Sequence, residues 1–121
     1  MSLSVSLIKI NPVTGEIINA EKAVNDGSDL AGFESWRKTV YGADPVIFRG
    51  ATFLPQLKSS DLIIEGSDLY IFRAELNMLI NDLDDLSRDL NQDIKTLSSR
   101  FNNILNSIES AIEKGLTVWL S

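Results

Sequence analysis

Residues 67–114 form a stretch of the 121-residue chain that contains neither glycine nor proline. Two mainly apolar series recur in this stretch at seven-residue intervals, which is the spacing of a helix that buries one stripe of its surface. The two series are Ile80, Ser87, Ile94, Phe101 and Ile108, and Leu76, Leu83, Leu90, Leu97, Ile104 and Ala111. The pattern predicts a largely helical segment, whose length limits how the whole chain can fold.

An unbroken helix over this segment would be a rod of about 70 Å. A compact chain of this size has a radius of gyration near ~14 Å, so the rod does not fit a monomeric globule. Either the helix breaks near residues 88–93 into two antiparallel helices, or it stays continuous and buries its stripe in a homodimer. We favour the break, because Asp89 and Gln92 resemble a capping box and Asn91 offers a second cap.

Strand signals lie on both sides of this helical segment. Residues 4–10 and residues 17–18 are β-branched and apolar, and the turn residues Pro12 and Gly15 separate them, which predicts an N-terminal β-hairpin. Residues 62–64 predict a further short strand. After a helix stop at Gly115, residues 116–120 predict a C-terminal strand beside the hairpin.

The region between the hairpin and the strand at residues 62–64 has mixed signals. Residues 20–27 predict a connecting loop. Apolar residues at steps of three and four over residues 28–41 predict a helix, capped by Ser28 or Asp29 and ended by Gly42. Residues 46–48 predict a short strand, and residues 51–57 predict one or two helical turns.

These elements predict a single α+β domain over residues 1–121. Its hairpin and C-terminal strand form a small antiparallel sheet, which packs against a long antiparallel pair of helices and one shorter helix.

Histidine and cysteine are both absent from the chain. Their absence excludes thiolate nucleophiles, imidazole bases, the Ser-His-Asp triad and ordinary zinc, haem and iron-sulfur ligation. Tyr41, Tyr70 and Arg49 carry groups with catalytic chemistry, but the sequence pairs none of them with an acid, a base or a phosphate loop. We therefore expect no enzymatic activity and no cofactor.

The chain carries 17 acidic and 11 basic side chains, for a net charge of -6. This balance repels phosphate groups, so it disfavours nucleic acid and anionic membrane surfaces as partners. No apolar run approaches the roughly 18 residues that a membrane-spanning helix needs, and residues 1–10 lack the features of a signal peptide. We therefore expect a cytoplasmic protein.

The acidic side chains are concentrated in residues 66–93, which hold seven acids and two bases. Three interpretations of this cluster stay open: a solvated face, a recognition surface for a basic protein, and a divalent cation site at Asp82, Asp85 and Asp89. No calcium-loop spacing is present, so we predict no metal site. The candidate partner-binding residues are Asp61, Glu65, Asp68, Glu75, Asp82, Asp85 and Asp89.

The middle of the chain resembles small bacterial immunity proteins that accompany secreted polymorphic toxins. The resemblance covers about a third of the chain and lies in Ala51-Thr52-Phe53-Leu54-Pro55-Gln56-Leu57 and in Asp61-Leu62-Ile63-Ile64-Glu65-Gly66-Ser67-Asp68-Leu69, followed by an acidic amphipathic helix. It implies a cytoplasmic inhibitor that masks a toxin domain, often a basic one. It transfers no site residue, because immunity proteins differ widely in fold.

Two functions are therefore expected from the sequence. The first is a non-enzymatic acidic binding protein that occludes a basic toxin domain. The alternative is a homo-oligomeric structural or secretion-chaperone-like protein that uses the heptad stripe of residues 67–114 as its interface.

Overall fold

The computed structural model describes residues 2–19 and 29–121, and in these ranges five antiparallel strands pack with four α-helices. The strands are β1 (Ser2–Ile10), β2 (Ile17–Asn19), β3 (Leu30–Phe33), β4 (Leu62–Ile64) and β5 (Thr117–Leu120). The helices are α1 (Asp44–Phe48), α2 (Asp68–Asn81), α3 (Leu83–Leu90) and α4 (Ile94–Lys114). The predicted α+β class is confirmed. The predicted loop over residues 20–27 and the cap at Ser28 lie outside the described residues.

The sheet is built around β1, with β5 along one side and β2 and β3 along the other. Strand β4 follows β5, so the order is β2-β1-β5-β4. Leu7 faces Val118 across the β1–β5 pair, and Ile64 faces Val118 across the β4–β5 pair. All three side chains are buried in the core. The hairpin, the strand at residues 62–64 and the docking of the C-terminal strand beside the hairpin are thus confirmed.

Helix α4 lies across the sheet and packs against β1, β3 and β5, while α2 and α3 pack against α4. Its core side consists of Leu97, Phe101, Ile104 and Ile108, all without exposed surface. The α4 half of the predicted stripe is therefore buried inside one chain, whereas Ile80, Leu83 and Leu90 are only partly buried and Ile94 is exposed.

The predicted break near residues 88–93 is confirmed, but its capping chemistry differs from the prediction. Asn91 adopts a left-handed conformation with φ 53°, and the amide of Gln92 donates to the carbonyl of Ser87, which closes the end of α3. Asp93 then caps α4 by accepting bonds from the amide and hydroxyl of Thr96 at 2.9 and 3.0 Å. These two bonds lower the pKa of Asp93. The predicted Asp89–Gln92 capping box is wrong, because Asp89 is engaged elsewhere.

A second break, which the sequence did not indicate, separates α2 from α3 at Asp82. The backbone of Asp82 leaves the helical region with φ -110° and ψ 26°. Its side chain is held by Arg49 of the preceding segment. The break at Asp82 thus involves a residue distant in sequence, Arg49. The break at Asn91 uses only contacts between residues close in sequence.

The predicted helix over residues 28–41 is wrong in its first half, where β3 pairs with β1 instead. Gly32 has φ 121°, which a helix does not allow, and a Cβ atom there would lie 2.5 Å from Cε3 of Trp36. The second half does curl, as a π-helical turn over Arg37–Tyr41. Residues 30–33 therefore form a strand despite their helical spacing. The edge of β1 is available for pairing, and Gly32 adopts a conformation that other residues rarely take.

The predicted strand over residues 46–48 is also wrong, because these residues end helix α1. Pro45 stands in the first turn, where its fixed φ favours helix and its missing amide hydrogen costs nothing. Val46 is buried on the inner side and Phe48 projects outward. The predicted turn within residues 51–57 is confirmed in the main as a short 3-10 helix over Leu54–Lys58.

The left-handed residue at the end of α3 gives a test of this connection. We expect Asn91→Ala to lower the free energy of unfolding by about 1 kcal/mol, because a Cβ-bearing residue other than Asn or Asp is strained there. Asn91→Gly is the matched control and should leave the stability unchanged or raise it. Urea unfolding followed by circular dichroism measures both, and equal effects of the two substitutions would contradict this view of the connection.

Candidate protein-binding surface

The seven acidic residues that the sequence indicated do not form one surface. Asp82, Asp85 and Asp89 lie on or beside α3, and Asp61, Glu65 and Asp68 lie around β4 and the start of α2. Glu75 lies in the interior of the chain. The structure therefore divides the predicted recognition surface into two exposed groups and one internal carboxylate.

Glu75 is a structural residue of the core, and its placement on a partner-binding surface is corrected here. Its side chain is only 8% exposed. One oxygen accepts from the amides of Thr52 and Phe53, and the other accepts from the amide of Leu54 at 3.0 Å. The carboxylate thereby fixes the start of the 3-10 turn against α2 and satisfies three amides that would otherwise lack partners.

Arg49 joins α1 to both ends of α3. Its Nε atom lies 2.6 Å from Oδ2 of Asp82, its Nη2 atom lies 2.8 Å from Oδ2 of Asp89, and Nη1 donates to the carbonyl of Pro45. Hydrogen bonds from the guanidinium to the two carboxylates raise the pKa of Arg49. Arg49 is only 19% exposed, so the guanidinium links the two more exposed aspartates from a mostly covered position.

The remaining acids of α3 occupy its first turn. Asp85 pairs with Arg88 at 2.6 Å in a largely exposed contact, and Asp84 is exposed beside it. Negative charge in a first turn also favours the positive end of the helix dipole. We define the α3 patch as Asp82, Asp84, Asp85, Asp89, Arg49 and Arg88. Its four carboxylates outnumber its two guanidinium groups.

A large apolar side chain adjoins the α3 patch. Phe48 is 82% exposed at the end of α1, immediately before Arg49, and α1 packs against α3. Ile47 beside it is also exposed. Sequence reasoning missed Phe48, because residues 46–48 were interpreted as a strand. The available signal was Pro45 in a first helical turn, which places Val46 and Phe48 on different sides of a short helix.

The second group of acids surrounds β4. Arg37 donates to Oδ1 of Asp61 at 2.6 Å and also bonds Glu34. Glu65 accepts from the hydroxyl of Thr117 at 3.4 Å, and Asp68 is exposed in the first turn of α2. These acids flank a strand that is the last in its sheet.

Within residues 2–19 and 29–121, no three acidic side chains converge closely enough to hold a metal ion, and no helix is long and apolar enough to span a membrane. Tyr41 is fully buried, its hydroxyl donates to the carbonyl of Ala31, and burial raises its pKa. Arg49 and Tyr41 both therefore hold parts of the fold together.

Comparison of the chain with family models, with curated proteins and with solved structures gives no match.

The internal role of Glu75 is testable by substitution. We expect Glu75→Ala to lower the free energy of unfolding by about 3 kcal/mol, because it leaves amides without partners beneath Phe53. Glu75→Gln should cost about half as much, since its amide keeps one acceptor oxygen.

Urea unfolding measures both losses. A surface acid that loses its charge has little effect on stability, so Asp84→Ala serves as the control. If the Glu75 and Asp84 substitutions gave equal small losses, the internal role of Glu75 would be contradicted.

Proposed function

We propose that this protein is a non-enzymatic binding protein that covers a basic protein partner with the α3 patch and with Phe48. The observation that carries the proposal is the exposed ring of Phe48, which directly precedes Arg49, the residue that bonds Asp82 and Asp89 of the α3 patch. Protein interfaces typically combine a central aromatic anchor with a charged rim.

Phe48 supplies the anchor in this proposal. A phenylalanine side chain left in water forgoes roughly 2 kcal/mol of burial free energy, which a partner pocket would recover. Residues Ile47 and Phe48 project from a short helix that Arg49 ties to α3. The ring is therefore presented on a supported element, which lowers the entropy lost when a partner binds it.

The α3 patch supplies the electrostatic part. Arg49 is shared by Asp82 and Asp89, so it neutralises only one of the two carboxylates. Asp84 and Asp85 add further negative charge at the start of α3. A surface of this sign raises the association rate with a positively charged protein and disfavours acidic ones.

The resemblance to bacterial immunity proteins supports a narrower form of the proposal, in which the partner is a basic toxin domain and binding occludes it in the cytoplasm. Within residues 51–57 of that resemblance, Glu75 holds the backbone amides of residues 52–54, and Leu54 and Leu57 are buried. This part of the segment therefore supports the neighbouring surface. The homo-oligomeric alternative has only part of its heptad stripe available, because the α4 half is used within one chain.

The proposal predicts that two separate changes weaken capture of the same partner. We expect Phe48→Ala to weaken binding at least about tenfold, because it removes the anchor. Asp84→Lys combined with Asp85→Lys should mainly lower the association rate and its dependence on salt. Both leave the Arg49 contacts intact, and the double variant loses only the exposed Asp85–Arg88 pair and the first-turn charge of α3, both of which contribute little to stability. Circular dichroism confirms that each variant is folded before binding is measured.

The matched control is Glu16→Lys combined with Glu113→Lys, which changes the net charge equally at exposed sites away from α3. A pull-down from the native host identifies the partner, and surface plasmon resonance then measures each variant. A partner that all variants bind equally would refute the surface. The narrower proposal, that the partner is a toxin domain, makes one more prediction. The partner should arrest growth when it is expressed alone, and coexpression with this protein should restore growth.

A further inference from the structure

Strand β4 forms an open edge of the sheet. It pairs with β5 on one side, and among residues 2–19 and 29–121 no strand lies on its other side. In an antiparallel pair, alternate residues direct their N–H and C=O groups away from the partner strand. An edge of this kind can accept a further strand.

The side chains of this edge alternate in a definite way. Leu62 and Ile64 are buried in the core, whereas Ile63 is 49% exposed on the opposite face of the sheet. Trp119 faces Ile63 across the pair with β5 and is half-buried. Natural edge strands are commonly protected by shortness, by charged side chains, by proline or by a bulge. Strand β4 is short and lies between two acidic residues, but its central exposed position is apolar.

Asp61 and Glu65 stand two residues before and two residues after Ile63. Arg37 bonds Asp61 but is shared with Glu34, so it neutralises only one of those two carboxylates. Glu65 accepts a hydrogen bond from the hydroxyl of Thr117 on β5, and this neutral partner does not offset its negative charge. The edge therefore presents an apolar position with an acidic residue on either side.

This charge pattern decides which strand fits. If a second copy paired antiparallel about Ile63, Asp61 of each chain would lie opposite Glu65 of the other, and like charges directly opposite destabilise a strand pair. A strand with basic residues at these two positions and an apolar residue between them would instead form favourable pairs.

We infer that the outer edge of β4 accepts an extended segment of the partner protein with basic, apolar and basic side chains at alternate positions. The inference rests on the proposed function, in that it names how part of a basic partner would be held. Backbone hydrogen bonds along β4 would hold the segment in place, and Asp61, Ile63 and Glu65 would select its side chains.

The test attaches a probe strand to the whole protein, so that it needs no identified partner. The segment Thr-Lys-Thr-Val-Thr-Lys-Thr is fused after Ser121 through a linker of about ten Gly and Ser residues, whose mean reach of about 17 Å spans the distance from β5 past β4. Such a tether gives an effective concentration in the millimolar range. Nuclear magnetic resonance then follows the exchange rates and chemical shifts of the amides of residues 62–64.

We expect amides on the outer edge of β4 to exchange at least about twofold more slowly when the segment is attached. The matched segment Thr-Glu-Thr-Val-Thr-Glu-Thr should have no such effect. Glu65→Lys in the host should weaken the effect of the lysine segment and improve that of the glutamate segment. If neither segment protects β4, or if both protect it equally, the inference is overturned.

The outcome separates this inference from the proposed function. Asp84→Lys with Asp85→Lys lies outside the β4 edge and should leave the effect of the tethered strand unchanged. If the tethered strand fails while Phe48→Ala still weakens capture of the partner, only the β4 inference falls. If the strand protects β4 while neither Phe48→Ala nor Asp84→Lys with Asp85→Lys changes capture of the partner, the surface of Phe48 and the α3 patch is refuted and the β4 inference stands by itself.

Discussion

The fold depends on the breaks that turn residues 67–114 back on themselves. A straight helix over these residues would be too long for a compact chain, and the breaks let one chain bury part of its apolar stripe. Helix α4 carries most of this constraint, because its inner side has no exposed surface and lies across three strands. The connection before it uses Asn91 and Asp93, which close one helix and open the next without glycine. Once α4 is placed, β5 must follow beside β1, and the sheet acquires β4 as its outer strand.

The second break, between α2 and α3, connects the helical segment to residues at the surface. Asp82 interrupts the helix and binds Arg49 from a segment 33 residues earlier in the chain. An exposed ion pair contributes little, typically 0–1 kcal/mol. Arg49 differs from that case, because three of its nitrogens are bonded and its side chain is mostly covered. It thereby sets the position of α1, and with it the position of Phe48.

Much of the architecture could be predicted from the sequence, because it follows from local signals repeated over many residues. The helical segment, the break near Asn91, the stop at Gly115 and the terminal strands belong to this class. The error over residues 30–33 concerns a structure that depends on a distant contact, because the edge of β1 pairs with these residues as a strand. The error over residues 46–48 is local, because Pro45 in a first turn already favoured a helix.

The same reason explains why the site could be predicted only in part. Acidic residues were identified by their spacing on one presumed helix, so Glu75 was grouped with exposed residues. Its partners are backbone amides of residues 52–54, and backbone groups leave no pattern in the sequence. Two arginines show how the exposed acids are organised: Arg37 lies between Glu34 and Asp61, and Arg49 lies between Asp82 and Asp89. One cation between two carboxylates fixes both side chains yet leaves a net negative charge, so the acidic surfaces lose less conformational freedom on meeting a basic partner than unpaired acids would.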